Sequence, residues 1–220
     1  PTGMRLYIDG TSIASRGDVT TGQKYTGQWR VGGDQFSNWT STPSSRYFAG
    51  AIDEVAVYPT VLNRQQVTAH YAAAGATVTV PEKPEDGFGA AVYDRDPDLF
   101  WRLDETEGAT AQDAGLADND GNVTGGVTWG ETGALTGPTG TAARFNGTDG
   151  LVVANRAVIS PTVYSAGVWF KTTTTTGGKL MGFGNAATGL STNYDRHIYM
   201  QDDGKVVFGT YTGVQNTITS

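Results

Sequence analysis

The 220-residue sequence contains no cysteine, so disulfide cross-links and thiolate chemistry are both excluded. Charged residues make up only 17% of the chain, and the formal net charge is −7. Lysine and arginine form no cluster along the sequence, which disfavours nucleic acid and anionic membrane surfaces as partners. No apolar run approaches the ~20 residues that a membrane-spanning helix needs, so membrane insertion is not expected.

The residues that are abundant favour strands and turns. The chain has 31 glycines, 10% aromatic residues, and many Thr and Val residues in short runs. This composition is typical of an all-β protein with many turns, and not of a helical bundle.

The first third of the chain alternates short strand patterns with turns. We predict strands at residues 4–9, 28–33 and 52–58, and a hairpin turn at Asp9-Gly10. A short helix should follow over residues 62–71, since Asn63 and Gln66 form a capping box and Gly75 suits the helix end.

Residues 76–96 carry prolines, charges and little periodicity, which is typical of a linker. A second β region follows. We predict a hairpin over residues 142–153 around Asn146–Gly150, strands at 164–171, 179–184, 197–201 and 205–211, a tight turn at Asp202–Gly204, and no strand after Tyr211.

Several of these segments occur in a recognisable order. Residues 4–10, 28–34 and 48–58, followed by the capped helix, resemble the closing part of laminin-G-like (concanavalin A-like) jelly-roll modules of secreted bacterial proteins. Residues 100–105, 143–147 and 168–170 resemble the opening part of the same modules. The resemblance implies an all-β, antiparallel two-sheet sandwich with one short helix of the C-terminal type. Its halves stand in permuted order: a closing half at 1–75, a linker at 76–96 and an opening half at 97–220.

This order leaves two arrangements open. The two halves could pair with each other as one permuted sandwich, or each could be completed by a neighbouring repeat of the same parent chain. A half-sandwich alone would expose unpaired strand edges and apolar faces, so we do not expect it to be stable by itself.

The resemblance also implies a structural calcium ion. Its ligands would be Asp53, the carbonyl of Gly147 and, as a third ligand, Asp104 or the nearby Asp98, since oxygen ligands at turns suit this hard cation. Asp118 and Asp120 form a second candidate, for which the alternative is a turn whose carboxylates accept backbone hydrogen bonds.

A group of aromatic residues in the closing half points to sugar binding. Sugar rings present apolar faces that stack on aromatic side chains, and polar neighbours such as Arg46 would set specificity. The alternative is that Trp29 belongs to the core and that Trp39 packs against its own loop. The predicted ligand-binding residues are Trp29, Asp34, Phe36, Asn38, Trp39 and Tyr47.

The sequence contains no convincing catalytic constellation. Glu105 and Glu107 have the spacing of a glycoside hydrolase pair but lie at a strand end, and we expect His70 at the surface and His197 at a sheet edge. We therefore predict a non-catalytic carbohydrate-binding or adhesion module of a secreted or cell-surface protein. The partners would be a glycan and neighbouring repeats. The alternatives are a purely structural stalk repeat and a glycoside hydrolase-like sandwich.

Overall fold

The computed structural model describes residues 3–77, 81–135 and 140–220. Within these ranges the chain forms antiparallel strands and two short helices, α1 (Arg64–Ala73) and α2 (Gly87–Tyr93). This confirms the predicted all-β class and is consistent with a sandwich of jelly-roll type. The strands are Met4–Ile8 (β1), Thr11–Arg16 (β2), Thr110–Ala111 (β3), Gly121–Thr124 (β4), Val127–Thr132 (β5), Thr141–Phe145 (β6), Leu151–Ala154 (β7), Gly178–Gly184 (β8), Tyr194–Met200 (β9), Val206–Tyr211 (β10) and Gln215–Thr219 (β11).

The strands are grouped into four sheets with the orders β1-β2, β3-β4-β7, β5-β6 and β11-β10-β9-β8. The predicted turns at Asp9-Gly10 and Asp202–Gly204 join β1 to β2 and β9 to β10. Asp9, Gly10 and Gly204 adopt the positive φ angles that tight hairpins require. In the part of the chain that the structure describes, the strands of residues 1–75 pair only with each other.

The turn at Asn146–Gly150 differs from the prediction, because β6 and β7 do not pair with each other. β6 pairs with β5 and β7 pairs with β4. Residues 146–150 therefore form a loop between β6 and β7 that lies opposite Gly125 and Gly126. The Asn146 side-chain oxygen accepts the backbone N–H groups of residues 148, 149 and 150 at 3.0–3.2 Å. Asp149 Oδ1 accepts Gly126 N–H at 2.9 Å, so these bonds fix the turn against residue 126.

Three predicted strands do not form. Residues 28–33, 52–58 and 164–171 have no ladder, apart from an isolated bridge between Gly33 and Tyr47. Their apolar alternation shows that they suit a half-buried face, but a strand also needs a partner edge, and within the described residues none is paired with them. Conversely, β11 pairs with β10 beyond the last predicted strand.

His197 lies on β9, which is an inner strand between β8 and β10, so the predicted edge position is wrong. Burial, followed by the charge of Lys179, lowers the pKa of this imidazole. Its placement within a ladder is that of a structural residue.

Helix α1 begins as predicted. The Asn63 side chain accepts Gln66 N–H, the Gln66 side chain accepts Asn63 N–H, both at 2.9 Å, and Gly75 follows the helix with φ +82°. Helix α2 lies inside the segment predicted as a linker and is capped by Asp86, which accepts Gly89 N–H. The predicted boundaries at 75 and 96 remain predictions, and residues 78–80 of that linker lie outside the described residues.

Arg64, the first residue of α1, connects the closing half to the start of the opening half. Its side chain is buried, and it donates to the carbonyl of Pro97 at 2.7 Å and to the carboxylate of Asp98. The Arg64 backbone N–H donates to Asp96 at 3.2 Å, and Arg5 of β1 pairs with Asp98 at 2.7 Å.

Burial alone would raise the pKa of Asp98, but the hydrogen bond from Arg5 and the two arginine charges bring it below its usual range. These ion pairs therefore stabilise the fold at neutral pH and weaken as acidification protonates Asp98.

A second polar network organises the start of the opening half around Asp113, which is buried. Its carboxylate accepts the backbone N–H groups of Phe100 (2.9 Å), Gly115 (3.0 Å) and Asn119 (2.9 Å). Its own N–H donates to Asp120 Oδ1 at 2.8 Å. For Asp120 this supports the predicted alternative of a hydrogen-bonded turn.

We predict that Asp113→Asn destabilises the protein by about 2–4 kcal/mol, because it removes a buried charged acceptor and turns an amide N–H₂ group towards backbone donors. The free energy of unfolding in urea measures this. Glu107→Gln, the same change at an exposed position, is the control and should shift the free energy by less than about 0.5 kcal/mol. Equal stability of the two variants would contradict the organising role of Asp113.

Candidate functional site

The candidate site is built on the loop between Gly32 and Phe48, which two antiparallel stretches close. Phe48 N–H donates to Gly32 O at 2.9 Å and Asp34 N–H donates to Arg46 O at 3.2 Å. Between these bonds Gly33 and Tyr47 form the isolated bridge. Three successive backbone contacts therefore fix the base of a polar loop that carries no other regular structure.

The Tyr47 ring packs against the backbone of Gly33. A Cβ atom added at Gly33 would lie 2.4 Å from the ring atom Cδ1 of Tyr47, so only glycine leaves room for the ring. The neighbouring Ser45 hydroxyl accepts Tyr47 N–H at 3.1 Å and donates to Tyr47 O at 2.9 Å. The backbone is thus held while the side chain remains 77% exposed, which leaves an aromatic surface open to solvent.

Polar side chains surround this ring in an open depression of about 410 Å³, lined by Arg30, Gly33, Asp34, Gln35, Arg46 and Tyr47. Arg46 Nε donates to Gln35 Oε1 at 2.5 Å. Asp34 Oδ1 accepts Gln35 N–H at 2.7 Å, and Asp34 Oδ2 lies 3.4 Å from Arg30 Nε. The depression combines an aromatic ring with hydrogen-bonding groups at fixed positions, as a shallow ligand site requires.

The structure brings some of the predicted ligand residues together. Asp34 and Tyr47 line the depression, as does Arg46, whereas Trp29, Phe36, Asn38 and Trp39 do not. Trp29 is 84% exposed, so the alternative that places it in the core is wrong.

The other three residues lie further along the loop. Trp39 N–H donates to Phe36 O at 3.2 Å, and Asn38 adopts φ +70° in this turn. Trp39 itself remains exposed. These side chains form the outer part of the loop beside the depression.

Sequence reasoning missed Arg30, Gly33 and Gln35. The spacing of Arg30 and Asp34 could have indicated their ion pair. The Gly32-Gly33 pair is visible in the sequence as a turn signal, but the need for glycine under a ring depends on the pairing with Tyr47. That pairing is a tertiary contact, and no local pattern contains it.

The predicted calcium ligands have local partners. Asp53 is exposed and accepts Glu54 N–H at 2.9 Å, while Asp104 accepts from Arg102 Nε at 3.1 Å. Gly147 lies in the loop between β6 and β7. The described contacts do not link these residues to one another, and the described residues contain no group of three or more His, Cys, Asp or Glu side chains able to hold a metal. The calcium site formed by these two carboxylates and one carbonyl therefore stays a prediction.

Glu105 and Glu107, the two residues of the hydrolase alternative, have different surroundings. Glu105 Oε1 accepts Gln112 N–H at 2.7 Å, which gives this carboxylate a structural contact, and Glu107 is exposed. His70 packs beside Tyr58 with ring centroids 5.7 Å apart, at the surface as predicted. Nothing in these contacts joins a nucleophile or an acid–base pair within the described part of the chain.

An antiparallel all-β chain with an open aromatic depression on a loop has the general features of a β-sandwich binding module. Residues 1–68 match the laminin-G family model described as "Concanavalin A-like lectin/glucanases superfamily". The predicted resemblance is thereby confirmed for these residues, which include the whole depression. No curated protein matches the chain.

One similar solved structure is the crystal structure of residues 221–444 of an S-layer domain-containing protein from Clostridium thermocellum ATCC 27405. The sequences are 18% identical, the TM-score is 0.40, and the similarity covers 56% of each chain. A similarity of this size does not establish a shared fold. Separately, the helices of the described residues are too short and too polar to cross a bilayer.

We predict that Gly33→Ala displaces the Tyr47 ring, because the new methyl group would overlap ring atom Cδ1. The measurement is the aromatic NMR signal of Tyr47, assigned by comparison with Tyr47→Phe. Gly22→Ala is the matched control, since a Cβ atom at Gly22 meets nothing within 4 Å. A Tyr47 signal that is unchanged in Gly33→Ala would show that the ring does not rest on Gly33.

Proposed function

We propose that this chain is a non-catalytic carbohydrate-binding or adhesion module of a secreted or cell-surface protein, and that the Tyr47 depression is its sugar site. The observation that carries this proposal is the exposed Tyr47 ring, held on Gly33 and surrounded by the polar groups of Asp34, Gln35 and Arg46. The family match over residues 1–68 supports it, because the matched family is named for lectins as well as glucanases.

The chemistry of the depression suits binding better than hydrolysis. A sugar ring presents C–H groups to an aromatic face and hydroxyl groups to its edges, so one ring with polar neighbours satisfies both. Glycoside hydrolysis normally uses two carboxyl groups on either side of the scissile bond. The depression offers one, Asp34, and that carboxylate already accepts Gln35 N–H and faces Arg30.

A structural calcium ion remains part of the proposal. Asp53, Gly147 and Asp104 would hold it, and the ion would tie the segment around Asp53 to the opening half. The sugar site does not depend on it, because the depression is closed by its own backbone contacts.

We predict that Tyr47→Ala weakens glycan binding by at least about tenfold, which corresponds to about 1.4 kcal/mol, because the apolar surface under the sugar is lost. A glycan array identifies the ligand, and titration calorimetry then measures its affinity for wild type and variant. Tyr194→Ala, at an exposed tyrosine on β9, is the control and should bind like wild type. An array on which wild type binds nothing would contradict the proposed function.

A second candidate function, the structural repeat, is favoured by the surface that the chain exposes. The accessible surface is 16299 Å², whereas a compact monomer of 23.2 kDa exposes roughly 9,700 Å². Part of the excess lies on the unpaired segment 48–58, where Phe48, Val55 and Val57 are exposed. Neighbouring repeats of the same parent chain are the proposed partners, since the closing half of one repeat would cover the opening half of the next.

We predict that this chain self-associates in solution and that Val57→Lys raises the dissociation constant at least about tenfold, because a charge would enter an apolar contact. Sedimentation equilibrium over a concentration series measures the association. Leu190→Lys is the control, since Leu190 is 97% exposed but lies on a loop outside the unpaired segments. A wild-type chain that is monomeric at every concentration would contradict the repeat function.

A further inference from the structure

We propose that the sugar taken by the Tyr47 depression is acidic, and that Arg46 binds its carboxylate. This inference rests on the proposed function and narrows it from carbohydrates in general to sugars that carry a carboxylate, such as uronic acids. It is argued from the hydrogen-bonding groups that the protein leaves available around the ring.

The acceptors of the Asp34 and Gln35 side chains are partly engaged within the protein. Asp34 Oδ1 accepts Gln35 N–H at 2.7 Å, and Asp34 Oδ2 faces Arg30 Nε at 3.4 Å. The Gln35 side-chain oxygen accepts Arg46 Nε at 2.5 Å. A ligand that needed acceptors from the protein would compete with each of these contacts.

The donors, in contrast, are available. Arg46 uses Nε on Gln35, and in the described part of the chain its two Nη groups contact no protein acceptor. Arg30 Nε lies 3.4 Å from Asp34 Oδ2, and neither the Arg30 Nη groups nor the Gln35 side-chain amide N–H₂ makes a hydrogen bond within the described residues. The nitrogen groups left open around Tyr47 are therefore N–H donors, and they outnumber the open acceptors, so a ligand rich in acceptors fits them.

The geometry of Arg46 favours a carboxylate among such ligands. A guanidinium presents its donors in a rigid planar fork that matches the two oxygens of a carboxylate. The hydrogen bond from Nε to Gln35 restrains the orientation of the fork. Arg46 and Tyr47 line the same depression, so a sugar stacked on the ring would share that depression with the fork. The two arginines outnumber the one carboxylate of the depression, so the site is locally positive although the chain carries a net charge of −7.

The test compares acidic sugars with neutral forms of the same shape. Calorimetric titrations use oligogalacturonate and oligoglucuronate, each also as its methyl ester, which removes the charge and keeps the ring. We expect wild type to bind at least one acid about tenfold or more tighter than its ester. Arg46→Gln should abolish this preference while keeping the ester affinity, and Arg46→Lys should retain part of it. Arg144→Gln, at an exposed arginine on β6, is the control and should bind like wild type.

The outcomes separate the two levels of the proposal. Equal affinity for acid and ester overturns the acidic-sugar inference, and so does an array on which only neutral glycans bind. Both outcomes leave the proposed carbohydrate function intact. A sulfated oligosaccharide that binds more tightly than every carboxylated one overturns the assignment of a carboxylate. Loss of binding to acid and ester alike in Arg46→Gln would show that Arg46 shapes the loop and does not select the charge. Failure of every glycan to bind overturns both levels.

Discussion

The ion pairs of Arg64 are the interaction on which the relation between the two parts of the chain depends. The side chain is buried at the start of α1, and its two Nη groups contact Asp96, the Pro97 carbonyl and Asp98. A buried guanidinium without these partners would be strongly destabilising. The capped helix therefore has to dock on the segment that follows α2, and Arg5 joins the first hairpin to the same carboxylate.

The loop of residues 32–48 depends on a different and more local constraint. Its base is closed by backbone hydrogen bonds between residues 32–34 and 46–48, and its central ring rests on a glycine. Such a loop keeps its shape as long as these two short stretches stay paired. The closing half can therefore form this loop even though its apolar segment at residues 52–58 has no partner strand within the described residues.

The sequence was sufficient where a feature is determined within a few residues. The capping box of Asn63 and Gln66 and the turns at Asp9-Gly10 and Asp202–Gly204 are local, and they were predicted correctly. Strand pairing is not local: residues 52–58 have a strand pattern without a partner, and β11 pairs without having been predicted. The role of Asp113 also goes beyond a local turn: its carboxylate accepts the nearby N–H groups of Gly115 and Asn119, but also that of Phe100, 13 residues away.

The local charge of the candidate site likewise depends on pairing between residues that are distant in the sequence. A search along the sequence for clustered basic residues finds none, and the acidic composition argues against anionic ligands in general. Pairing of residues 32–34 with 46–48 nevertheless places Arg30 and Arg46 around one tyrosine, while the only carboxylate between them is occupied by backbone and by Arg30. The class of ligand depends on the hydrogen-bonding groups that remain open after folding, and in this depression most of them are N–H donors. The proposed selection of a carboxylate is therefore compatible with the net charge of −7, because short-range hydrogen bonds decide the affinity once the long-range field is screened by salt.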